Sequence, residues 1–316
     1  MNSISVTPSS DAITETVIQL PINAVERETG VSKELLRMWE RRYHFPTPDR
    51  DHQGDRIYTL DQVAKLRLLR RLIDAGFRPG KIVDLPISDL EALLRAQNSA
   101  QREISPEIES ELIEVLKSNS AHDIKEYLSH QLTRMGLEAF IINFLQNANF
   151  IVGDAWMRGL IEIPDEHLYT EQVQSLIRSS ITNLRSATSS PRIMLTTAPE
   201  ESHILGLLMV EAILRLDNTD AICFGANMPV KDITQAAAKH KINIVALSFS
   251  ASYPTSKAIE FLEEIRFRLP LSVEIWAGGG SLKSTRRSIE AVEMFHDLES
   301  IRAAATAWRR RNGTAS

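Results

Sequence analysis

The chain has 316 residues, 43% apolar and 24% charged, a balance that excludes disorder over most of its length and leaves room for more than one domain. No apolar run approaches the ~20 residues that span a bilayer, and residues 1–16 lack the basic start and apolar block of a secretory signal, so a cytoplasmic protein with no membrane partner is expected. A lone cysteine, Cys223, excludes an internal disulfide and any zinc site built on several thiolates. The net charge of −5 is unevenly spread: residues 21–82 carry 13 Lys and Arg against 9 Asp and Glu, which leaves −9 on the remainder. A basic N-terminal segment on an acidic body suits a nucleic-acid reader joined to something else, although solvated helices share this balance.

Composition divides the chain into a Ser/Thr-rich flexible arm (1–19), an arginine-dense segment (20–95), a polar linker around Gln97–Glu103 (96–105), a purely helical segment (106–187) and an alternating segment (188–316). In the arginine-dense segment, residues 22–28 read as a short helix, Gly30 as a turn, and Ser32 as the N-cap of a second helix over 33–42. Lys33, Arg37 and Arg41 recur every four residues on one face of that second helix, with Leu35, Leu36 and Trp39 opposite. A short helix with one cationic face is what major-groove reading requires. Read alone, a solvated basic helix has the same pattern. Pro48 to Arg50 and Gly54-Asp55-Arg56-Ile57-Tyr58 then read as a hairpin wing, followed by a helix through Leu60, Val63, Leu66, Leu69 and Leu72, by Gly76-Phe77, and by a short helix near Ile82.

Gly30-Val31-Ser32, Leu36 to Tyr43, Gly54 to Tyr58 and Gly76-Phe77 together resemble the MerR-type winged helix-turn-helix. The resemblance implies a dimeric reader of double-stranded operator DNA. By position, Lys33, Arg37, Arg41 and Arg42 become candidates for contact from the second helix, and Arg56 and Tyr58 for phosphate contact from the wing. Metal-sensing relatives dimerise through a long helix and bind ions through cysteines; this chain has neither in the expected place, so its signal must enter elsewhere.

The helical segment carries an apolar stripe at 3-and-4 spacing, Phe140, Ile141, Phe144, Leu145, Ala148, Ile151, Val152 and Ala155, and a second at Val173, Leu176, Ile177, Ile181 and Leu184, which predicts a bundle of about four helices. After Ser190, short apolar runs at 193–195, 221–224, 242–247 and 273–276, with a weaker fifth at 292–295, alternate with helices and predict a parallel sheet. The expected fold class is therefore α+β multidomain: winged helix-turn-helix, four-helix bundle and C-terminal Rossmann-like α/β domain.

In the loop after the first of these strands, Glu201 precedes His203 by two residues, where a carboxylate can hold one ring nitrogen and make the other more basic toward a metal. A lone loop histidine is more often an ordinary surface residue. This one lies beyond the carboxyl end of a parallel strand, on the edge where open α/β sheets bind ligands. Ser248-Phe249-Ser250 and Gly278-Gly279-Gly280 end later strands on the same edge, where small residues admit a bulky ligand.

The array Glu201-x-His203-x-x-Gly206, 41 residues, Ser248-x-Ser250, 27 residues, Gly278-Gly279 resembles the Asp-x-His-x-x-Gly, Ser-x-Leu, Gly-Gly pattern of cobalamin-binding domains. Glu replaces Asp and keeps the carboxylate at longer reach; Ser250 replaces Leu, read here as a change of packing. The resemblance implies that His203 ligates cobalt from below while the benzimidazole tail enters a groove lined by Ser248 and the glycines. Trp156, nine residues and then Glu166-His167 match the Trp-x9-Glu-His motif of bundles that cap cobalamin in the CarH/LitR light-responsive regulators, where these residues wall in the adenosyl group. Taken alone, Trp156 would be core and Glu166-His167 an exposed helix start. Met157 stands where some light-responsive members place a histidine, and its thioether is a poorer ligand for cobalt(III) than imidazole.

These likenesses imply a non-enzymatic, light-responsive repressor, a homodimer or homotetramer, that binds its operator with adenosylcobalamin, or another cobalamin form, in place. Two alternatives differ in class: a MerR-type regulator whose sensor has lost cobalamin and works through protein partners, and a corrinoid methyl carrier.

Overall fold

The computed structural model describes residues 19–74, 77–99, 105–118, 120–185, 189–251, 253–283, 285 and 287–313. The arm apart from Gln19, Gly76 of the MerR-like pattern and the linker from 100 to 104 lie outside them. The chain divides into two compact units, Met1–Arg71 with Arg78–Leu90, and Leu72–Phe77 with Glu91–Ser316.

In the first unit, α1 (Ile22–Thr29) and α2 (Lys33–Tyr43) are joined by a tight turn at Gly30, whose φ of 66° lies in the left-handed region and whose N–H caps the Glu26 carbonyl. Ser32 caps α2 by accepting from the Leu35 N–H at 3.2 Å. Leu36 and Trp39 are buried and Leu35 only partly, so the apolar face of α2 is narrower than its sequence spacing. The hairpin wing forms from β2 (Asp49–Arg50) and β3 (Arg56–Thr59), paired antiparallel. Its turn is held by Asp51 Oδ1, which accepts from the Gln53 and Asp55 N–H groups. A third strand, β1 (Gln19–Pro21), pairs with β3 on the other side, giving the order β1-β3-β2. Three residues are too few to show alternation, which is why sequence reading places Gln19 in the arm. The helices α3 (Leu60–Asp74), α4 (Pro79–Ile82) and α5 (Ile87–Ser99) follow.

In the second unit, α5 is followed by α6 (Pro106–Lys117) and α7 (Ala121–Ala139), the latter broken at Gly136, where φ 78° and ψ 163° suit only glycine. The chain then runs through a π-helical segment (Phe140–Leu145) into α8 (Gln146–Met157), and α9 (Ile163–Thr182) completes a four-helix bundle. Every residue of the stripe from Phe140 to Ala155 is buried. The sheet is five-stranded, β4 (Ser189–Thr196), β5 (Thr219–Cys223), β6 (Ile244–Ser248), β7 (Glu274–Gly278) and β8 (Val292–Phe295), in the order β5-β4-β6-β7-β8 with all pairs parallel. Alternate strand residues face opposite layers. Ile193, Leu195, Ile244, Ala246 and Trp276 pack with α10 (Leu205–Leu216) and α13 (Leu298–Arg311), whereas Met194, Val245, Leu247 and Ile275 pack with α11 (Val230–Lys239) and α12 (Thr255–Arg268).

Bundle and sheet share one helix. Leu207 and Leu214 of α10 face the sheet, while Leu208, Met209, Ala212 and Ile213 join the bundle core, so docking is built from a helix that is apolar nearly all round. Arg302 of α13 adds a polar tie, donating to Glu138 of α7 at 2.6 Å and pairing with Asp217 at 2.8 Å.

Candidate functional site

The strand order reverses direction between β4 and β6, and loops leaving the carboxyl ends of those two strands enclose the crevice in which open α/β sheets bind ligands. The loop after β4 is shaped by Thr197, whose hydroxyl donates to the Glu201 carbonyl at 2.5 Å, and by Glu200 at a positive φ of 67°. Glu201 is thereby turned inward and is only 1% exposed. Its carboxylate meets four donors. Oε1 accepts from the His203 N–H at 2.9 Å and lies 2.7 Å from His203 Nδ1; Oε2 accepts from the Ser250 N–H at 2.7 Å and the Ser250 hydroxyl at 2.6 Å. A carboxylate has about four lone-pair sites, so all are filled.

Burial works to raise the Glu201 pKa, and the hydrogen bonds from His203 and Ser250 outweigh it, holding the carboxyl below its usual range. The hydrogen bond that His203 donates to Glu201 raises the His203 pKa against an opposing desolvation, with further help from the charges of Glu201 and Glu166. With Nδ1 committed to a buried anion, Nε2 remains as the ring nitrogen for any further ligand, and the side chain is 63% exposed. A cleft of about 240 Å³ opens beside it, lined by Glu200, Glu201, His203, Tyr253, Pro254 and Lys257.

Gly206 opens α10 directly opposite Ser248 at the end of β6; a Cβ there would come 3.2 Å from the Ser248 hydroxyl oxygen. Gly278 and Gly279 have a different reason from the one expected of them. Gly279 sits at φ +109°, and a Cβ would lie 2.1 Å from the Phe249 carbonyl oxygen, while the Gly278 carbonyl accepts from the Phe249 N–H. Gly279 lets the two strand-end loops pack on each other, whereas a Cβ on Gly278 would come 3.1 Å from the Phe295 carbonyl oxygen of β8. Ser250 also departs from its expected role: it is a hydrogen-bond donor to the buried carboxylate and so changes chemistry rather than packing.

From the bundle, Trp156 lies near the end of α8, partly buried against the bundle core, and the side chain of Met157 lies outside the described residues. Glu166 and His167 occupy the start of α9, whose first turn is closed by a capping box between Glu162 and Asp165. Glu166 accepts from the Thr170 hydroxyl at 2.8 Å and lies 2.7 Å from His167 Nδ1; the His167 side chain is 73% exposed. The residues that sequence reading misses here, Thr197, Lys257 and Tyr253, have no motif to mark them.

On the reader, Arg37, Arg41 and Arg42 are exposed on α2, and Lys33 is half-exposed beside Glu26 at 3.5 Å. Arg56 is tied back to α2, its Nε donating to Glu40 Oε2 at 2.8 Å. Tyr58 is corrected. It is 0% exposed, its ring is core, and its hydroxyl has no hydrogen-bond partner among the described residues, so it offers nothing to a phosphate in this conformation.

Residues 20–85 match the MerR HTH family regulatory protein family. Over 290 residues the chain is 30% identical to the HTH-type transcriptional repressor CarH of Myxococcus xanthus, covering 88% of this chain and 95% of that protein. The chain belongs to the CarH family of transcription regulators. The CarA repressor of Myxococcus xanthus is 24% identical over 246 residues, covering 78% of this chain and 81% of CarA. Among solved structures, the Methanosarcina barkeri monomethylamine corrinoid protein matches 64% of this chain and 96% of its own length at TM-score 0.49 and 16% identity. As a CarH-family member the chain is a regulator rather than an enzyme, with a MerR-type reader and a Rossmann-like domain.

Proposed function

We propose that this chain is a cytoplasmic repressor that grips operator DNA when its sensor holds adenosylcobalamin and releases it after illumination. The observation that carries the reading is the Glu201–His203 pair at the sheet's switch point, where one nitrogen of a 63% exposed ring is held by a buried carboxylate. The donor set fits the cofactor: a single imidazole nitrogen that could ligate cobalt, a carboxylate that holds the other ring nitrogen, and Gly206 facing Ser248 where a tail would enter. Trp156, Glu166 and His167 would cover the upper face.

When bound, adenosylcobalamin would supply a cobalt–carbon bond that visible light breaks. His203 would hold the metal, and the bundle, docked through α10, would supply Trp156, Glu166 and His167 to the same group. In darkness the loaded sensor would favour assembly into dimers or tetramers that present several copies of α2 to repeated half-sites; after light, Trp156, Glu166 and His167 would lose the group they hold. For the switch to matter, the cofactor must favour the assembling state by a few kcal/mol. The test uses the full chain reconstituted in darkness with adenosylcobalamin. Operator binding and a large assembly before green light, and loss of both afterwards, are expected. His203→Ala should bind no cofactor tightly. Identical spectra, size and DNA affinity before and after light would overturn the light response, and a colourless protein would favour a sensor that acts through protein partners.

A further inference from the structure

We infer that Glu201 and Ser250 form one positioning unit, in which the Ser250 hydroxyl anchors the carboxylate that sets the direction of His203. The inference rests on the cobalamin reading of the site and names a residue which that reading treats as mere packing. Against the family pattern the site has two departures, Glu for Asp at 201 and Ser for Leu at 250. They meet: Oε2 of Glu201 receives both the N–H and the hydroxyl of Ser250, 49 residues away, while Oε1 receives both donors of His203.

The pairing has a physical cause. Glu carries its carboxylate one methylene beyond Asp, so a second oxygen reaches past the β4 loop to the end of β6. There a leucine would place hydrocarbon against a carboxylate that is 1% exposed, leaving an acceptor site unfilled in a place that water does not reach. The serine hydroxyl fills it. With both oxygens held, the carboxylate has no freedom to swing away from Nδ1. The imidazole keeps its proton on Nδ1 and leaves Nε2 for a further ligand. Ser250 acts through Glu201, to which both its N–H and its hydroxyl donate.

Two single variants and their combination test this: Ser250→Leu, Glu201→Asp and Glu201→Asp/Ser250→Leu, with Ser250→Ala and Ser250→Thr as smaller changes. Each full-length protein is titrated with hydroxocobalamin, and coordination of a protein imidazole is read from the visible spectrum. The melting temperature of each cofactor-free protein is recorded alongside. Ser250→Ala and Ser250→Leu should weaken imidazole coordination by about 10- to 100-fold. Ser250→Thr, which keeps the hydroxyl, should stay close to wild type. The double variant should recover most of what Ser250→Leu loses, and melting temperatures should be non-additive in the same sense. Wild-type coordination with an unchanged Ser250→Ala, or effects that simply add, would overturn the inference. Failure of the wild type itself to coordinate hydroxocobalamin would instead overturn the cobalamin reading beneath it, a result distinct from either.

Discussion

Tyr58→Phe removes one oxygen from the core of the reader and nothing else. The ring is fully buried, burial pushes its phenol pKa up, and the hydroxyl finds no partner among the described residues. Leaving a buried hydroxyl unpaired costs about 1–3 kcal/mol, so its deletion should stabilise the reader by up to that amount. For a domain of this size, about 1 kcal/mol corresponds to a rise of about 4–8 °C in Tm. Calorimetry of the full chain resolves the transition, and fluorescence anisotropy with a labelled operator measures affinity. The expected outcome is a higher melting transition and unchanged DNA affinity. A lower transition, or a clear loss of affinity at constant salt, would show that the hydroxyl is bonded in the working state and that the wing contacts phosphate through it after all.

Arg37→Ala and Arg41→Ala remove exposed cations from α2 and should each reduce the salt dependence of operator binding, by about 0.9 in the log–log slope for every phosphate that the variant leaves unneutralised. An unchanged slope combined with relaxed sequence preference would assign that arginine to a base. Leu208→Ala, at a buried position joining α10 to the bundle, should lower stability by about 2–5 kcal/mol in urea unfolding, whereas a negligible effect would mean the bundle docks by other means. Glu211 is held above the ordinary carboxylate pKa of 4.5, first by desolvation, with a backbone hydrogen bond and Arg215 and Arg178 only partly offsetting it. A raised folded pKa means the native state holds the proton more tightly, so stability falls as pH climbs from 4.5 through the raised value and then levels. Glu211→Gln should therefore raise Tm at neutral pH and remove that decline; a drop in Tm at neutral pH would contradict the sign.

What the chain declares locally was legible. The Ser32 cap, the left-handed Gly30, the stripe from Phe140 to Ala155 and the alternation of the β4 and β6 runs are short-range patterns, and the structure reproduces each. Glu201 and His203 stand two residues apart, so their hydrogen bond is implicit in the spacing. Long-range chemistry was not. Ser250 reaches Glu201 only because β6 lies beside β4, and a serine in a leucine's place carries no sign of that. Arg56 and Tyr58 stand two apart in β3 and so share one face, yet only Tyr58 is buried: β1 pairs alongside Tyr58 and stops short of Arg56, and a strand of three residues leaves no pattern in the sequence. The break at Gly136 is a backbone conformation inside a continuous helical spacing, and periodicity does not register it.

The assignment of His203 as the lower ligand is tested most directly by paramagnetic resonance of the full chain loaded with the cobalt(II) form of cobalamin, prepared with ordinary and with nitrogen-15 histidine. A protein imidazole on cobalt changes the nitrogen splitting from a triplet to a doublet when the label is present, and His203→Ala abolishes that change. A triplet that persists with labelled histidine means the metal's lower nitrogen comes from the cofactor's own tail, and the sensor described here would not work through His203.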